Sequence, residues 1–142
     1  MFKMEKVVIL TDQYNQMVVL TDHLLRVVAD SGVQNGLATV ITLHTTTGIG
    51  VNERVECLES DIDETLKRLV PEDLPYTHAR ILPNYGSTAG NPTGHIKSML
   101  TGNHCLFPVE GGRLVMGDAQ DVYFYEFDGP AKRTVTITVM GD

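Results

Sequence analysis

The period of the hydrophobic pattern changes several times along the chain, and each change marks an element. Residues 5–10, Glu-Lys-Val-Val-Ile-Leu, and 17–20, Met-Val-Val-Leu, are β-branched or apolar runs around the polar stretch Thr11 to Gln16, which predicts two short strands around a turn. Thr21 is placed to cap a following helix, with Asp22 in its first turn, Leu24, Leu25, Val27 and Val28 on its apolar face and Ser31-Gly32 as its stop. Gly36 to Leu43 is apolar almost throughout and predicts a strand covered on both faces. From Arg54 to Leu69 the apolar positions Val55, Leu58, Ile62, Leu66 and Leu69 recur at spacings of three and four with charged residues opposite, the clearest helix in the chain.

Pro71 and Pro75 stop that helix, and residues 71–94 carry four of the six prolines, so a long loop is expected there. A short helix from His95 to Leu100 is closed by Thr101-Gly102. Beyond it the pattern turns to strands: Asn103 to Val109 and Arg113 to Met116 flank Glu110-Gly111-Gly112, where the glycines supply the positive φ of a hairpin turn, and Val122 to Phe127 is the next. Thr134 to Val139 alternates without a fault, which sends Val135, Ile137 and Val139 to the core and Thr134, Thr136 and Thr138 to solvent or a partner subunit. Two or three helices among seven or eight strands joined mostly by hairpins predict an α+β fold, a largely antiparallel sheet or sandwich with the helices packed on it.

The length of 142 residues suits a single domain spanning 1–142, whose core needs neither disulfides nor a structural metal. A metal, if bound, is then functional. With 11 Lys+Arg against 18 Asp+Glu the formal charge is -7, and no three basic residues are consecutive, which argues against a nucleic-acid partner. No apolar stretch spans a bilayer and no signal-peptide core follows Met1, so a cytoplasmic protein without membrane contact is expected. Cys57 and Cys105 lack any CxxC or Cys/His ligand spacing and read as buried small apolar residues.

Candidate chemistry rests on five histidines. His23 and His104 sit among polar neighbours in a helix and at a strand start, and read as incidental. His44 ends an apolar strand and leads into Thr45-Thr46-Thr47-Gly48-Ile49-Gly50-Val51-Asn52-Glu53, a hydroxyl- and glycine-rich segment able to line a polar pocket. If the strand continued regularly, His44, Thr46, Gly48, Gly50 and Asn52 would share one face. The plainer alternative is a Gly-rich turn with Asn52 capping the long helix. His95 follows Asn91-Pro92-Thr93-Gly94 in a first helical turn, where free backbone N–H groups favour an anion and a neutral imidazole. Lys97 lies near the same N-terminus and Ser98 shares the face of His95. His78, in the Pro-rich loop, reads alone as an exposed loop histidine. Together His44, His78 and His95 with Glu53 nearby form the ligand set of a catalytic zinc with one open position, although their spacings match no local metal motif.

The combination of His44-Thr45-Thr46, Gly48, Asn52-Glu53, Leu69-Val70-Pro71-Glu72-Asp73, Tyr76-x-His78, His95-Ile96-Lys97-Ser98, Gly112-Arg113-Leu114 and Gly117-x-x-Gln120 resembles the YjbQ family, small proteins linked to a secondary thiamine-phosphate synthase activity. The resemblance runs from about residue 36 to the C-terminus. It implies an α+β fold, a homotrimer, and a metal or anion site of His44, His78 and His95 at a subunit interface. Read this way, the three histidines hold a divalent metal, with zinc foremost. Glu53 acts as base or orients a ligand with Asn52 beside it, and Lys97, Thr45, Thr46, Gly94, Ser98 and Gln120 serve the phosphorylated substrate. Two departures stand out. The family motif Gly-Thr-Trp-Gln is here Gly117-Asp118-Ala119-Gln120, and residues 79–94 hold no acidic residue, with Tyr85 a conceivable aromatic replacement. Three functions compete: a thiamine-phosphate synthase-like enzyme, a non-catalytic binding module for a phosphometabolite or anion, and a structural histidine network.

Overall fold

In the computed structural model, which describes residues 1–80 and 91–142, the elements run β1 (Phe2–Thr11), β2 (Gln16–Val19), α1 (Thr21–Ser31), β3 (Asn35–Thr42), β4 (Thr47–Asn52), α2 (Glu56–Leu69), α3 (Thr77–Arg80), α4 (Pro92–Thr101), β5 (His104–Glu110), β6 (Arg113–Leu114), β7 (Asp121–Glu126) and β8 (Ala131–Gly141). The strands form two antiparallel sheets, one ordered β1-β8-β3-β5-β6 and one ordered β2-β7-β4. This is the α+β, antiparallel architecture that the pattern predicts. Gly111 and Gly112, at φ 58 and 76, make the expected hairpin turn between β5 and β6. The Tyr85 segment lies outside the described residues. No helix among those described is long and apolar enough to cross a membrane.

One core joins the two sheets. Val7 and Ile9 of β1, Ala38 and Val40 of β3, Phe107 and Val109 of β5 and Val135, Ile137 and Val139 of β8 meet Leu24, Val27 and Val28 of α1 and Ile49, Val122 and Phe124 of the smaller sheet. Each fully buried side chain of this kind stabilises the fold by about 1.5–3 kcal/mol. The other face of the smaller sheet carries Tyr123, Tyr125 and Phe127, whose rings stack in sequence, and Leu66 of α2 packs on them. α2 has no fully buried residue, and Leu69 at its end is exposed, so the helix lies on the surface of this aromatic layer.

Several local expectations change. Leu20, not Thr21, is the N-cap residue of α1; the Thr21 hydroxyl instead donates to Asp121 Oδ1 at 2.6 Å and accepts the Val122 N–H at 3.0 Å, tying the helix start to β7. α2 begins at Glu56 behind Val55, so Asn52 does not cap it; Asn52 Oδ1 accepts the N–H of Glu53 at 2.8 Å. The strand through His44 does not continue: β3 ends at Thr42 and β4 starts at Thr47 in the other sheet. Thr136 and Thr138 are almost covered, because β8 runs between β1 and β3. Cys57 is exposed on α2 and Cys105 is only partly buried.

Candidate functional site

The chain changes sheets between Thr42 and Thr47, and these two hydroxyls hydrogen-bond each other at 2.6 Å across the crossing. The crossing segment therefore leaves the sheet as a fixed corner that carries His44, Thr45 and Thr46. His44 Nε2 accepts the backbone N–H of Thr134 on β8 at 2.8 Å. That bond requires a lone pair on Nε2, which is the neutral ring with its proton on Nδ1. Burial, and secondly the charge of Arg133, lower the His44 pKa from its ordinary value of 6.5 and favour the same form.

α4 brings the second histidine to the corner. Pro92 occupies its first turn, and Gly94 is where the helix closes on the corner: a Cβ there would stand 3.0 Å from the Phe127 carbonyl oxygen and 3.4 Å from the Thr46 side chain. His95, next in the chain, donates from Nδ1 to the Thr45 carbonyl at 3.2 Å. His78, on α3, meets Asn91 Oδ1 through Nε2 at 3.0 Å. Asn91 is oriented by its own Nδ2 donating to Asp128 Oδ2 at 2.8 Å, so its Oδ1 accepts and His78 Nε2 carries the proton. The His78 and His95 rings meet edge to face with centroids 5.3 Å apart.

These three histidines, with Thr45, Thr46, Asn91, Asp128 and Arg133, line one cleft of about 550 Å³. Arg133, Asn91 and Asp128 are the members that the sequence reading did not single out, and of these Arg133 is the charged donor. Its Nε and Nη2 bind Glu126 at 2.8 and 2.6 Å, and Nη2 also reaches Thr46 Oγ1 at 3.1 Å, while Nη1 has no hydrogen bond among the described residues. A signal for it existed. The alternation that sends Val135, Ile137 and Val139 inward also sends Arg133 inward, and an inward arginine needs a buried acid, which Glu126 on the neighbouring sheet supplies. Asn91 and Asp128, with no periodic pattern around them, left no such signal.

The remaining predicted residues divide. Ser98 lines an adjoining hollow with His44 and His95, its hydroxyl donating to the Thr47 carbonyl at 2.6 Å. Gly94 serves close packing. Lys97 leaves α4 on another face, is 1% exposed, and has its Nζ 5.7 Å from the Phe127 ring centroid, outside the residues that line the histidine cleft. Asn52 and Glu53 end β4, Gln120 precedes β7, and all three are exposed. The register Thr47↔Glu126 and Asn52↔Asp121 puts them at the opposite end of the small sheet from the cleft, five strand steps or roughly 17 Å away. Gln120 Oε1 accepts the Gly117 N–H at 2.8 Å within its own turn.

The three-histidine metal set fits this geometry only in part. His78 and His95 each donate one ring N–H to a fixed oxygen, the second-shell arrangement that leaves the other nitrogen, His78 Nδ1 or His95 Nε2, available as a ligand. His44 has its lone pair on the Thr134 amide instead. Among the described residues no three His, Cys, Asp or Glu side chains group to hold a metal ion. The cleft can otherwise receive an anion, between the free edge of Arg133 and two imidazoles.

Comparison with known proteins places the same chain in context. The family described as UPF0047 protein YjbQ-like matches residues 5–142. A UPF0047 protein of Archaeoglobus fulgidus is 37% identical over 121 residues, covering 85% of this chain and 88% of its own. The UPF0047 protein YugU of Bacillus subtilis is 34% identical over 131 residues, covering 92% of this chain and 94% of its own. Among solved structures, a YbjQ-like protein of unknown function from Sulfolobus solfataricus P2 superposes with a TM-score of 0.91 at 26% identity, covering 100% of this chain and 99% of that one. A YjbQ/UPF0047 protein from Clostridium acetobutylicum superposes with a TM-score of 0.86 at 32% identity, covering 96% and 99%.

Proposed function

The chain belongs to the YjbQ-like UPF0047 family, and from its cleft we propose that it is an enzyme acting on a phosphorylated or pyrophosphorylated small molecule. The observation that carries this reading is the convergence of Arg133 with His44, His78 and His95 on one cleft. An arginine with an uncommitted N–H edge is suited to phosphate oxygens, and imidazoles with a free nitrogen are suited to move a proton to a leaving oxygen. Thr45, which is exposed at the mouth, and the Thr46 hydroxyl beside Arg133 add short-range donors. Thiamine-phosphate synthase chemistry, in which a thiazole nitrogen bonds to the methylene carbon carried by a pyrimidine as pyrophosphate leaves that carbon, is the specific transfer for which the resemblance argues. In that reaction the cleft's donors would stabilise the departing pyrophosphate.

No step in this reading passes through a metal, because of the three histidines only His78 and His95 present a ring nitrogen with a free lone pair. The working unit is a homotrimer. Asn52, Glu53 and Gln120 are too far from the cleft of their own chain to act there, so they reach a cleft only from a second copy. The surface for that association is the outer face of the larger sheet. There Phe2, Met4, Val8, Leu10, Leu37, Leu106 and Met140 are all more than 40% exposed. An apolar face of this extent is the mark of an association surface in a soluble protein.

The exposed position of Glu53 favours the second reading in one circumstance. A chain that stays monomeric keeps the cleft without Glu53, and binds phosphometabolites without turnover. Calorimetry with inorganic pyrophosphate, run beside an assay for product on long incubation with pyrophosphorylated substrates, separates the two. Micromolar binding lost in His95→Ala together with turnover supports the enzyme. Binding without turnover leaves the binding module, and no binding at all removes both.

A further inference from the structure

A second hollow, of about 370 Å³, adjoins the histidine cleft, and His78 and His95 line both. Among the described residues its other walls are Tyr76, Thr77, Pro92 and Ile96. The two spaces differ in chemistry. The cleft presents Arg133, Asp128, Asn91, Thr45 and Thr46, whereas the surface of the hollow is almost wholly carbon. The two imidazoles therefore turn ring carbon toward it.

This surface is held in place from several sides. The Tyr76 hydroxyl donates to the Pro71 carbonyl at 2.8 Å, so the one polar group of that side chain is engaged and its ring is fixed. Pro92 is buried in the first turn of α4, where its fixed φ suits a helix start. His78 is held through Asn91 at 3.0 Å. Ile96 completes the wall while remaining 36% exposed. A preformed apolar surface beside a polar cleft receives a ligand without the entropy cost of ordering its own side chains.

A polar ring, such as the pyrimidine of the thiamine reaction with its nitrogens and amine, would leave those groups unpaired against carbon. A hydrocarbon loses no hydrogen bond there and removes apolar area from water. We propose that the substrate of the histidine cleft is a phosphate or pyrophosphate ester of a short hydrocarbon group, alkyl, alkenyl or phenyl. Its phosphate lies at Arg133 and its hydrocarbon against Tyr76, Pro92 and Ile96. Because His78 and His95 line both spaces, the C–O bond that joins the two parts then lies beside the imidazoles. The volume of the hollow suits a short group and not the chain of a membrane lipid. This inference rests on the phosphate reading of the cleft and names what the phosphate is attached to.

The test is calorimetry of the full chain with inorganic pyrophosphate and with methyl, glycerol, butyl, phenyl and aminopyrimidinylmethyl phosphates. Pyrophosphate reports on the cleft alone. Butyl or phenyl phosphate should bind at least about tenfold tighter than methyl phosphate, a gap of about 1.4 kcal/mol, and the glycerol and pyrimidine esters should not share the gain. Ile96→Asn and Tyr76→Asn should each cut that preference to about threefold or less. Ile96 is partly exposed, so its variant carries the test should Tyr76→Asn fail to fold. Pyrophosphate binding with no gain for the hydrocarbon esters, a gain kept in both variants, or a glycerol or pyrimidine ester that binds as tightly as butyl phosphate would overturn this inference and leave the cleft reading standing. Failure of every phosphate to bind, pyrophosphate included, would overturn the cleft reading and this inference with it.

Discussion

Arg133 and Glu126 face each other across the two sheets as a two-point pair, Nε to Oε1 at 2.8 Å and Nη2 to Oε2 at 2.6 Å, with the glutamate side chain fully buried and the arginine 11% exposed. The pair fixes the floor of the cleft, since the same guanidinium holds Thr46 and the same carboxylate accepts from Thr11 and from the Asp128 N–H. Removing one partner strands the other charge in the interior. Glu126→Gln is therefore expected to lose about 3–5 kcal/mol in urea unfolding at fixed chain concentration. The double variant Glu126→Leu with Arg133→Met should be milder than the single one. Equal stability of Glu126→Gln and the unaltered chain would mean that the pair contributes nothing.

The same carboxylate sets an acid limit. Burial pushes the Glu126 pKa up, but hydrogen bonds from Arg133, Thr11 and the Asp128 backbone outweigh it and hold the group below 4.5. A carboxyl with a depressed folded pKa stabilises the fold fully above its unfolded value, and this contribution is lost as the pH falls through the folded one. His44, whose pKa is lowered first by burial and then by Arg133, acts in the same direction: the unfolded chain protonates it from 6.5 downward while the folded chain resists. Stability should thus decline in two stages on acidification, one beginning below pH 6.5 from His44 and a second below 4.5 from Glu126. Heteronuclear NMR of the imidazole carbons reads the first stage directly. A His44 midpoint at or above 6.5 would contradict the Thr134 hydrogen bond.

What the residue pattern made legible was whatever follows a period. The alternation of β8 and the helix at 56–69 came from repeats of two and of three and four, whereas the expected hairpin connections did not hold, since among the described strands only β5 and β6 are both consecutive and paired. The three histidines were also legible as a set, and the structure brings them to one cleft. The change of sheet after His44 was not. A corner between sheets is decided by which partner each strand finds, and the Thr42 to Thr47 bond that fixes it joins the end of one strand to a hydroxyl- and glycine-rich segment that reads equally as a turn. Lys97 escaped for a related reason: helix spacing separates it from His95, but only packing against Phe127 shows where that face goes. The distance of Glu53 from the cleft likewise depends on register.

Metal uptake separates a two-histidine site from the three-histidine centre of the resemblance. With His44 engaged by Thr134, zinc titrated into chelator-treated protein should bind through His78 and His95. Mass-spectrometric metal analysis after desalting should then show zinc lost in His78→Ala and His95→Ala and kept in His44→Ala. Loss of about one tightly held zinc per chain in all three variants alike would restore the three-histidine centre and require His44 to turn from its amide.

The outer sheet face decides whether the distant residues matter. β1 alternates so that Val7 and Ile9 are buried while Met4, Val8 and Leu10 face outward, and Leu106 of β5 shares that outer surface. An aspartate there costs the monomer little and an interface much. Val8→Asp and Leu106→Asp are expected to convert an assembly of three 15.6 kDa chains to monomers in light scattering, with an unchanged circular dichroism spectrum. If Glu53 works in a neighbour's cleft, these monomers bind pyrophosphate without turning substrate over. In that case His95→Ala and Glu53→Gln chains, each inactive alone, regain part of the activity when refolded together, because some clefts then pair an intact histidine set with an intact Glu53. Activity that survives in the monomers, or fails to return in the mixture, places the whole reaction within one chain.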